Sequence, residues 1–296
     1  MATGRPTSIA TLLAQGERAF SFEFFPPKDA DGEAVLWRSL GELEELKPTF
    51  VSVTYGAGGT TRDRTIEITG RIARETSMTP MAHLTCVGHT VAEISDILDS
   101  LADAGVGNVL ALRGDPAGGP GTEWVSTEGG IDFAAELVGL VKARDQFAVG
   151  VAMFPEGHRD ASGIDADVAV MRAKYDAGAE FAITEMVLRS SDYFGLVERA
   201  RDAGVDIPII PGIMPILALG SMKKMVELSG RDMPEEVLAR IEPLAAEPEA
   251  VRAEGIKIAT ELCDELLEGG APGLHFYTLN RSKATREIYT ALAVHS

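Results

Sequence analysis

Cysteine is scarce in this sequence. Cys86 and Cys263 are the only two in 296 residues, and their spacing fits no metal motif. That excludes a disulfide-stapled secreted scaffold and fits a reducing compartment. Positive charge is short as well, with 27 Lys and Arg against 45 Asp and Glu and a formal net charge of −18. Such a chain repels phosphate backbones and anionic lipid, which argues against nucleic-acid and membrane partners. Long apolar runs are missing too: nothing approaches the roughly 18 uninterrupted apolar residues of a membrane span. The stretch 9–14 is too brief for the apolar region of a signal peptide. A cytoplasmic location is the expectation.

What is present is an alternation. Eight strand-length runs rich in Val, Ile, Phe, Leu and Thr occupy 20–25, 50–55, 81–86, 108–115, 148–155, 181–187, 207–215 and 274–279. Between them lie stretches with helical spacing, such as Leu36, Leu40 and Leu43, or Ile94, Leu98 and Leu101. Thr90 and Glu93 form the two ends of a capping box before the latter. Asp103-Ala104-Gly105, Asp176-Ala177-Gly178 and Asp202-Ala203-Gly204 each end a helix shortly before a strand, glycine supplying the left-handed C-cap. The β-then-α order, repeated eight times without an early Gly-x-Gly-x-x-Gly, favours a closed (β/α)8 TIM barrel over an open doubly wound sheet. Residues 1–296 are therefore read as a single β/α-barrel catalytic domain. Extra helices between strands 7 and 8, around 234–241 and 248–267, are read as an insertion. Catalytic groups belong at the C-terminal strand ends.

In the first run Phe20, Phe22 and Phe24 alternate with Ser21, Glu23 and Phe25, so the strand's period of two turns Glu23 into the barrel mouth. A partly desolvated carboxylate there has a raised pKa and suits proton donation; the alternative is a structural Glu paired with Arg or Lys. The fourth run ends Leu112-Arg113-Gly114-Asp115, where Arg113 either pairs with Asp115 or Glu23 or meets a ligand phosphate. Tyr55-Gly56-Ala57-Gly58-Gly59-Thr60-Thr61 is either a close-approach loop or plain loop punctuation. His83, Cys86 and His89 sit on alternating faces without a fourth ligand, so no metal is expected. His158, after the fifth run, is either a cofactor contact or a solvated loop histidine.

Taken together, Ser21-Phe22-Glu23-Phe24-Phe25-Pro26-Pro27-Lys28, Val51-Ser52-Val53-Thr54-Tyr55-Gly56-Ala57, His83-Leu84-Thr85-Cys86, Leu112-Arg113-Gly114-Asp115, Pro155-Glu156-x-His158, Ile210-Pro211-Gly212-Ile213-Met214-Pro215 and His275-Phe276-Tyr277-Thr278-Leu279-Asn280-Arg281 resemble bacterial methylenetetrahydrofolate reductases, in order and over almost the whole chain. The resemblance implies a flavoprotein that binds FAD, takes hydride from NADH or NADPH and reduces 5,10-methylenetetrahydrofolate to 5-methyltetrahydrofolate for methionine synthesis. It makes Glu23 the general acid and sets Asp115 beside flavin and pterin. Thr54, Tyr55, Ala57, His83, Arg113, Gly114, Asp115, Ala134, Phe154, His158, Ala161, Asp167 and Lys174 would line the FAD site. Glu23, Asp115, Glu185, Ser221 and Arg281 would contact the folate, which shares one flat site with nicotinamide in ping-pong fashion.

The chain departs from that family in places. Thr184-Glu185-Met186-Val187 stands where Thr-Gln-Phe-Phe is common, so an acceptor-only carboxylate replaces an amide that also donates. Ser221 and Met225 replace a glutamine and a stacking aromatic; Phe154 replaces a tyrosine, and Val170 and Ala173 replace polar cofactor contacts. These thinned contacts motivate a second reading, direct hydride transfer from NADH without flavin. A third is a non-catalytic folate-binding accessory subunit, against which the presence of both Glu23 and Asp115 argues. No regulatory domain is expected after Arg281, and the acidic surface leaves a homo-oligomer open.

Overall fold

Eight parallel strands hydrogen-bond in chain order and close on themselves, β1 pairing with both β2 and β8. The computed structural model describes residues 6–56, 62–116, 118–119 and 121–295. The strands are β1 (Ala19–Phe24), β2 (Phe50–Val53), β3 (Pro80–Thr85), β4 (Asn108–Leu112), β5 (Ala148–Met153), β6 (Phe181–Met186), β7 (Ile209–Ile213) and β8 (Gly273–Tyr277). The barrel and its strand order are those read from the sequence. The expected runs overshoot mainly at their C-terminal ends, where the chain leaves the sheet to build the mouth.

The helices are α1 (Ile9–Leu13), α2 (Ala30–Glu44), α3 (Arg62–Glu75), α4 (Val91–Asp103), α5 (Ala134–Lys142), α6 (Ile164–Asp176), α7 (Ser190–Asp202), α8 (Leu219–Leu228), α9 (Glu235–Ile241), α10 (Pro248–Glu268) and α11 (Lys283–His295). The capping box at Thr90 and Glu93 is formed. Gly105, Gly178 and Gly204 take φ of +83°, +108° and +73°. Past each of them the next amide returns to the last helical turn: Val106 to Leu101 O, Ala179 to Lys174 O and Val205 to Ala200 O.

Strand alternation divides the apolar residues into two layers. Phe22 and Phe24 point outward and are fully buried with Leu36 and Leu40 of α2, each worth roughly 2–3 kcal/mol of burial. Phe50, Met81, Leu110, Phe181, Ile183 and Ile210 point inward and fill the barrel with Ala19. Ile9 and Leu13 of α1 join that inner cluster as a plug at the strands' N-terminal end. Asn108 fastens the plug, its Oδ1 accepting from the Ile9 amide at 2.8 Å while Nδ2 donates to Thr7 O and Pro80 O.

Two helices beyond the repeat do lie between β7 and β8, but they are α8 and α9. The helix expected at 248–267, here α10, packs on α7, β7 and α11 and so holds the ring position of the seventh repeat. Instead, α8 and α9 build their own small core with Met186, Ile216 and Val251 beside the mouth. Among the described residues, no helix is long and apolar enough to cross a membrane.

Candidate active site

Glu23 is the last inward residue of β1, and two histidines face it. His275 Nε2 of β8 lies 3.3 Å from Glu23 Oε2, and His83 Nε2 of β3 lies 3.4 Å from the same oxygen. His275 Nδ1 contacts Ser21 Oγ at 2.8 Å, and that hydroxyl also lies 3.3 Å from Leu274 O. If Ser21 donates to Leu274 O, Nδ1 carries a proton and Nε2 of a neutral ring is a bare acceptor; if Ser21 donates to Nδ1, Nε2 carries the proton. Either way a favourable Nε2–Oε2 contact requires a proton between them, because two lone pairs would repel.

The side chain of Glu23 is 17% exposed. Burial pushes its carboxyl up, but His83 and His275 hold it below its ordinary value. This corrects the expectation of a raised pKa, which counted desolvation without the inward histidines. Burial drives the His83 imidazole below its ordinary value, against the pull of Glu23. The strand end is held from behind: Thr278 Oγ1 donates to Glu23 O at 2.6 Å, and Asn280 brackets Phe25, Nδ2 to its carbonyl at 2.8 Å and Oδ1 from its amide at 2.9 Å.

A second group gathers at the end of β5. Lys174 of α6 is buried, donates from Nζ to Ala152 O at 2.8 Å and lies 5.9 Å from the Phe154 ring centroid. Burial pushes its ammonium down to about 8, against the attraction of Asp167. Asp167 Oδ1 accepts from the His158 amide, and the His158 ring meets Phe154 edge-on at 4.5 Å. Arg113 joins this side. It pairs with Asp160 at 2.9 Å and lies over Trp124, not with Asp115 or Glu23 as the spacing allowed. The reason is Gly114, whose φ of +83° breaks the alternation that Val109 and Ala111 would otherwise extend. A Cβ at Gly114 would stand 2.5 Å from Val87 and 2.9 Å from Thr85, so only glycine fits this bend.

Ser52 Oγ, His83 Nε2, Thr85 Oγ1 and Asp167 Oδ2 are buried without a hydrogen-bond partner among the described residues. Strand alternation from Phe50 and Met81 turns the first three into the mouth. Orphaned donors and acceptors in the mouth, together with the cations Arg113 and Lys174 and with His158 past the end of β5, fit an anionic, polar cofactor of the flavin-nucleotide kind.

The other expected residues are more dispersed. Asp115 is exposed at the rim, with no hydrogen bond to another described residue. Tyr55 turns its hydroxyl to His89 Nε2 at 3.0 Å, leaving its neighbour Thr54 at the strand end. Ala134 begins α5, and the Ala161 amide donates to His158 O. Glu185 pairs with Arg231 at 2.7 Å, whereas Ser221 on α8 and Arg281 are exposed and engage neither group. Ala57 lies outside the described residues. His83, Cys86 and His89 face Glu23, Arg113 O and Tyr55 respectively, three separate surroundings. His275 was not a sequence candidate for the site, yet alternation from Gly273 through Tyr277 was enough to turn it inward. Arg231 carried no such signal.

A cavity of about 320 Å³ lined by Tyr193, Arg201, Pro208 and Pro272 lies by the N-terminal ends of β7 and β8, remote from all these groups. A larger one of about 590 Å³, with His158, Arg189, Ser229 and Arg231 in its walls, adjoins the mouth.

The sequence model of methylenetetrahydrofolate reductase matches residues 8–293. The chain belongs to the methylenetetrahydrofolate reductase family. It is 38% identical to methylenetetrahydrofolate reductase (NADH) 1 of Arabidopsis thaliana, over 97% of this chain and 50% of the relative. To the 5,10-methylenetetrahydrofolate reductase of Salmonella typhimurium it is 36% identical, over 95% of this chain and 92% of the relative. The chain thus spans about half the length of the plant reductases and nearly all of the bacterial one. Among solved structures, an uncharacterized protein from Clostridium thermocellum that binds two copies of 5-methyl-5,6,7,8-tetrahydrofolic acid superposes with a TM-score of 0.64 at 11% identity, covering 97% of this chain and 98% of that one. Dihydropteroate synthase from Xanthomonas albilineans, in complex with 7,8-dihydropteroate, gives 0.51 at 14% identity, covering 95% and 94%. At such identities the likeness of this methylenetetrahydrofolate reductase family member to them is one of fold.

Proposed function

We propose that this chain reduces 5,10-methylenetetrahydrofolate to 5-methyltetrahydrofolate at the expense of NADH or NADPH, with FAD bound at the barrel mouth. The observation that carries the reading is Glu23, the inward carboxylate of β1, held 3.3 Å from a histidine across an edge that must contain a proton. Family membership and the near-complete coverage of the bacterial relative support it.

FAD, when bound, supplies the relay that accepts hydride from the nicotinamide and passes it to the folate. The protein's own groups bind and orient. Arg113, His158 and Lys174, with Asp167 and the close backbone approach at Gly114, would hold the anionic cofactor; Thr54, Tyr55, His83, Ala134, Phe154 and Ala161 would complete that lining. Asp115, Glu185, Ser221 and Arg281 would meet the folate. A flat ligand over the mouth removes the remaining solvent from Glu23, which pushes its carboxyl up and lets it take the proton on the His275 edge. From there it donates to the ring nitrogen of the folate as the five-membered ring opens. We read the barrel as one catalytic unit acting in the cytoplasm, alone or as a homo-oligomer.

The test is anaerobic. NADH is expected to bleach a yellow chromophore, and methylenetetrahydrofolate to restore it. Glu23→Gln keeps the bleaching and loses folate reduction by at least about 100-fold, the scale of a removed general acid. Equal loss in both half-reactions would overturn the role of Glu23. The flavin-free reading predicts instead a colourless protein that still turns over.

A further inference from the structure

The departure at Glu185 has a structural counterpart in the insertion between β7 and β8. Glu185 follows Phe181 and Ile183 on the inward face of β6 and keeps 35% of its side chain accessible. Its Oε2 accepts from Arg231 Nη2 at 2.7 Å. Arg231 is itself only 9% exposed and is fixed on other sides, Nη1 donating to Met186 O at 2.9 Å and Nε to Ser229 Oγ at 3.1 Å. Its backbone is set by the end of α8, where the Arg231 amide returns to Val226 O past Gly230. The helix that departs from the plain barrel repeat thus delivers one guanidinium to Glu185, with Glu156 Oε1 a more distant second carboxylate 3.8 Å from Nη1.

We propose that Arg231 is a positioning residue that holds Glu185 as a fixed acceptor for a ring or amide edge presenting N–H donors to the barrel mouth. The pterin's aminopyrimidinone edge and the nicotinamide carboxamide both present such donors. A carboxylate clamped through one oxygen receives them with the other and offers no donor in return, unlike a glutamine. This rests on the folate-reductase reading above and deepens it.

The charges around Glu185 define the test. Burial pushes the Glu185 carboxyl up, Arg231 from the α8–α9 turn pulls it back down only in part, Glu23 on β1 and Glu156 after β5 repel it, and Tyr277 packs from β8. Arg189 and Asp192 act on Glu156 in turn. Without Arg231 the carboxyl is left buried among like charges and binds a proton more readily.

Steady-state kinetics of the flavin-loaded full chain would be compared for wild type, R231M, E185Q and the double variant E185Q/R231M. R231M is expected to raise the KM of the ligand that meets Glu185 about tenfold at the pH where its Glu185 has taken a proton and the wild type's has not, equivalent to about 1.4 kcal/mol, and less at alkaline pH, where both are ionised, with kcat little changed. A rise in the folate KM assigns the pterin edge, a rise in the NADH KM the carboxamide. The neutral pair E185Q/R231M should recover most of the loss and flatten its pH dependence. Unchanged KM values in R231M, or a double variant no better than R231M, overturn the proposal. If R231M does not fold, the double variant against wild type decides: a well-folded double variant with the wild-type KM supports the pairing, and one still impaired overturns it. Wild type that reduces no folate instead removes the reaction itself, a failure seen before any variant is made.

Discussion

Lys174 shows how one side chain sets the terms for a cofactor. Its ammonium is pushed down to about 8 by burial, so the free protein begins to lose that charge just above neutral pH. The sign follows directly: an anionic ligand held partly by Lys174 binds well below that value and less well above it, as the cation discharges. FAD titrated calorimetrically into apoprotein should therefore weaken between about pH 7 and pH 9, and Lys174→Met should bind more weakly at the lower pH with a flatter profile. Single residues were also where the sequence was read least completely. Glu23 was legible because β1 alternates without interruption. The direction of its pKa was not, since His83 and His275 reach it from strands 60 and 252 residues away, and no local pattern announces which inward groups meet. Of the two alternatives for Arg113, the pairing with Asp115 fails for the opposite reason: its neighbour Gly114 ends the alternation on which that pairing depended.

At the scale of elements, the join between β1 and β8 matters most. Leu279 and Asn280 take φ of +51° and +58°, left-handed conformations that non-glycine residues adopt at a cost. The turn is held there by Asn280, whose amide brackets the Phe25 backbone and whose carbonyl accepts from Ser39 Oγ at 2.8 Å. Asn280→Ala removes two hydrogen bonds and keeps the strained backbone, so a loss of about 2–4 kcal/mol is expected by denaturant unfolding. Asn280→Gly, relieving the strain alone, should lose less. Both should lower folate reduction, because the same join supports Glu23. Strands and helix ends were readable since they rest on local periodicity and on glycine at the C-caps. The assignment of α10 as an insertion was not correct, because an extra helix and a ring helix have the same amphipathic signature and only packing against β7 and α11 separates them.

For the whole molecule, charge is the governing quantity. Acidic residues exceed basic ones by 45 − 27 = 18, so even if every cation is paired many carboxylates repel one another. Individual surface pairs such as Arg172 with Asp176 contribute little, about 0–1 kcal/mol each, and salt weakens them. Screening of the unpaired excess should outweigh that loss, and the melting temperature is expected to rise by a few degrees as salt is raised to about 0.15 M, where the Debye length falls to about 8 Å. A fall on adding salt would show that the pairs dominate instead. The plug formed by Ile9 and Leu13, pinned by Asn108, has a consequence of another kind. With its floor plugged by α1 and its interior filled by the described side chains, the barrel is a bowl rather than a tunnel, offering Glu23 to a guest from the mouth side.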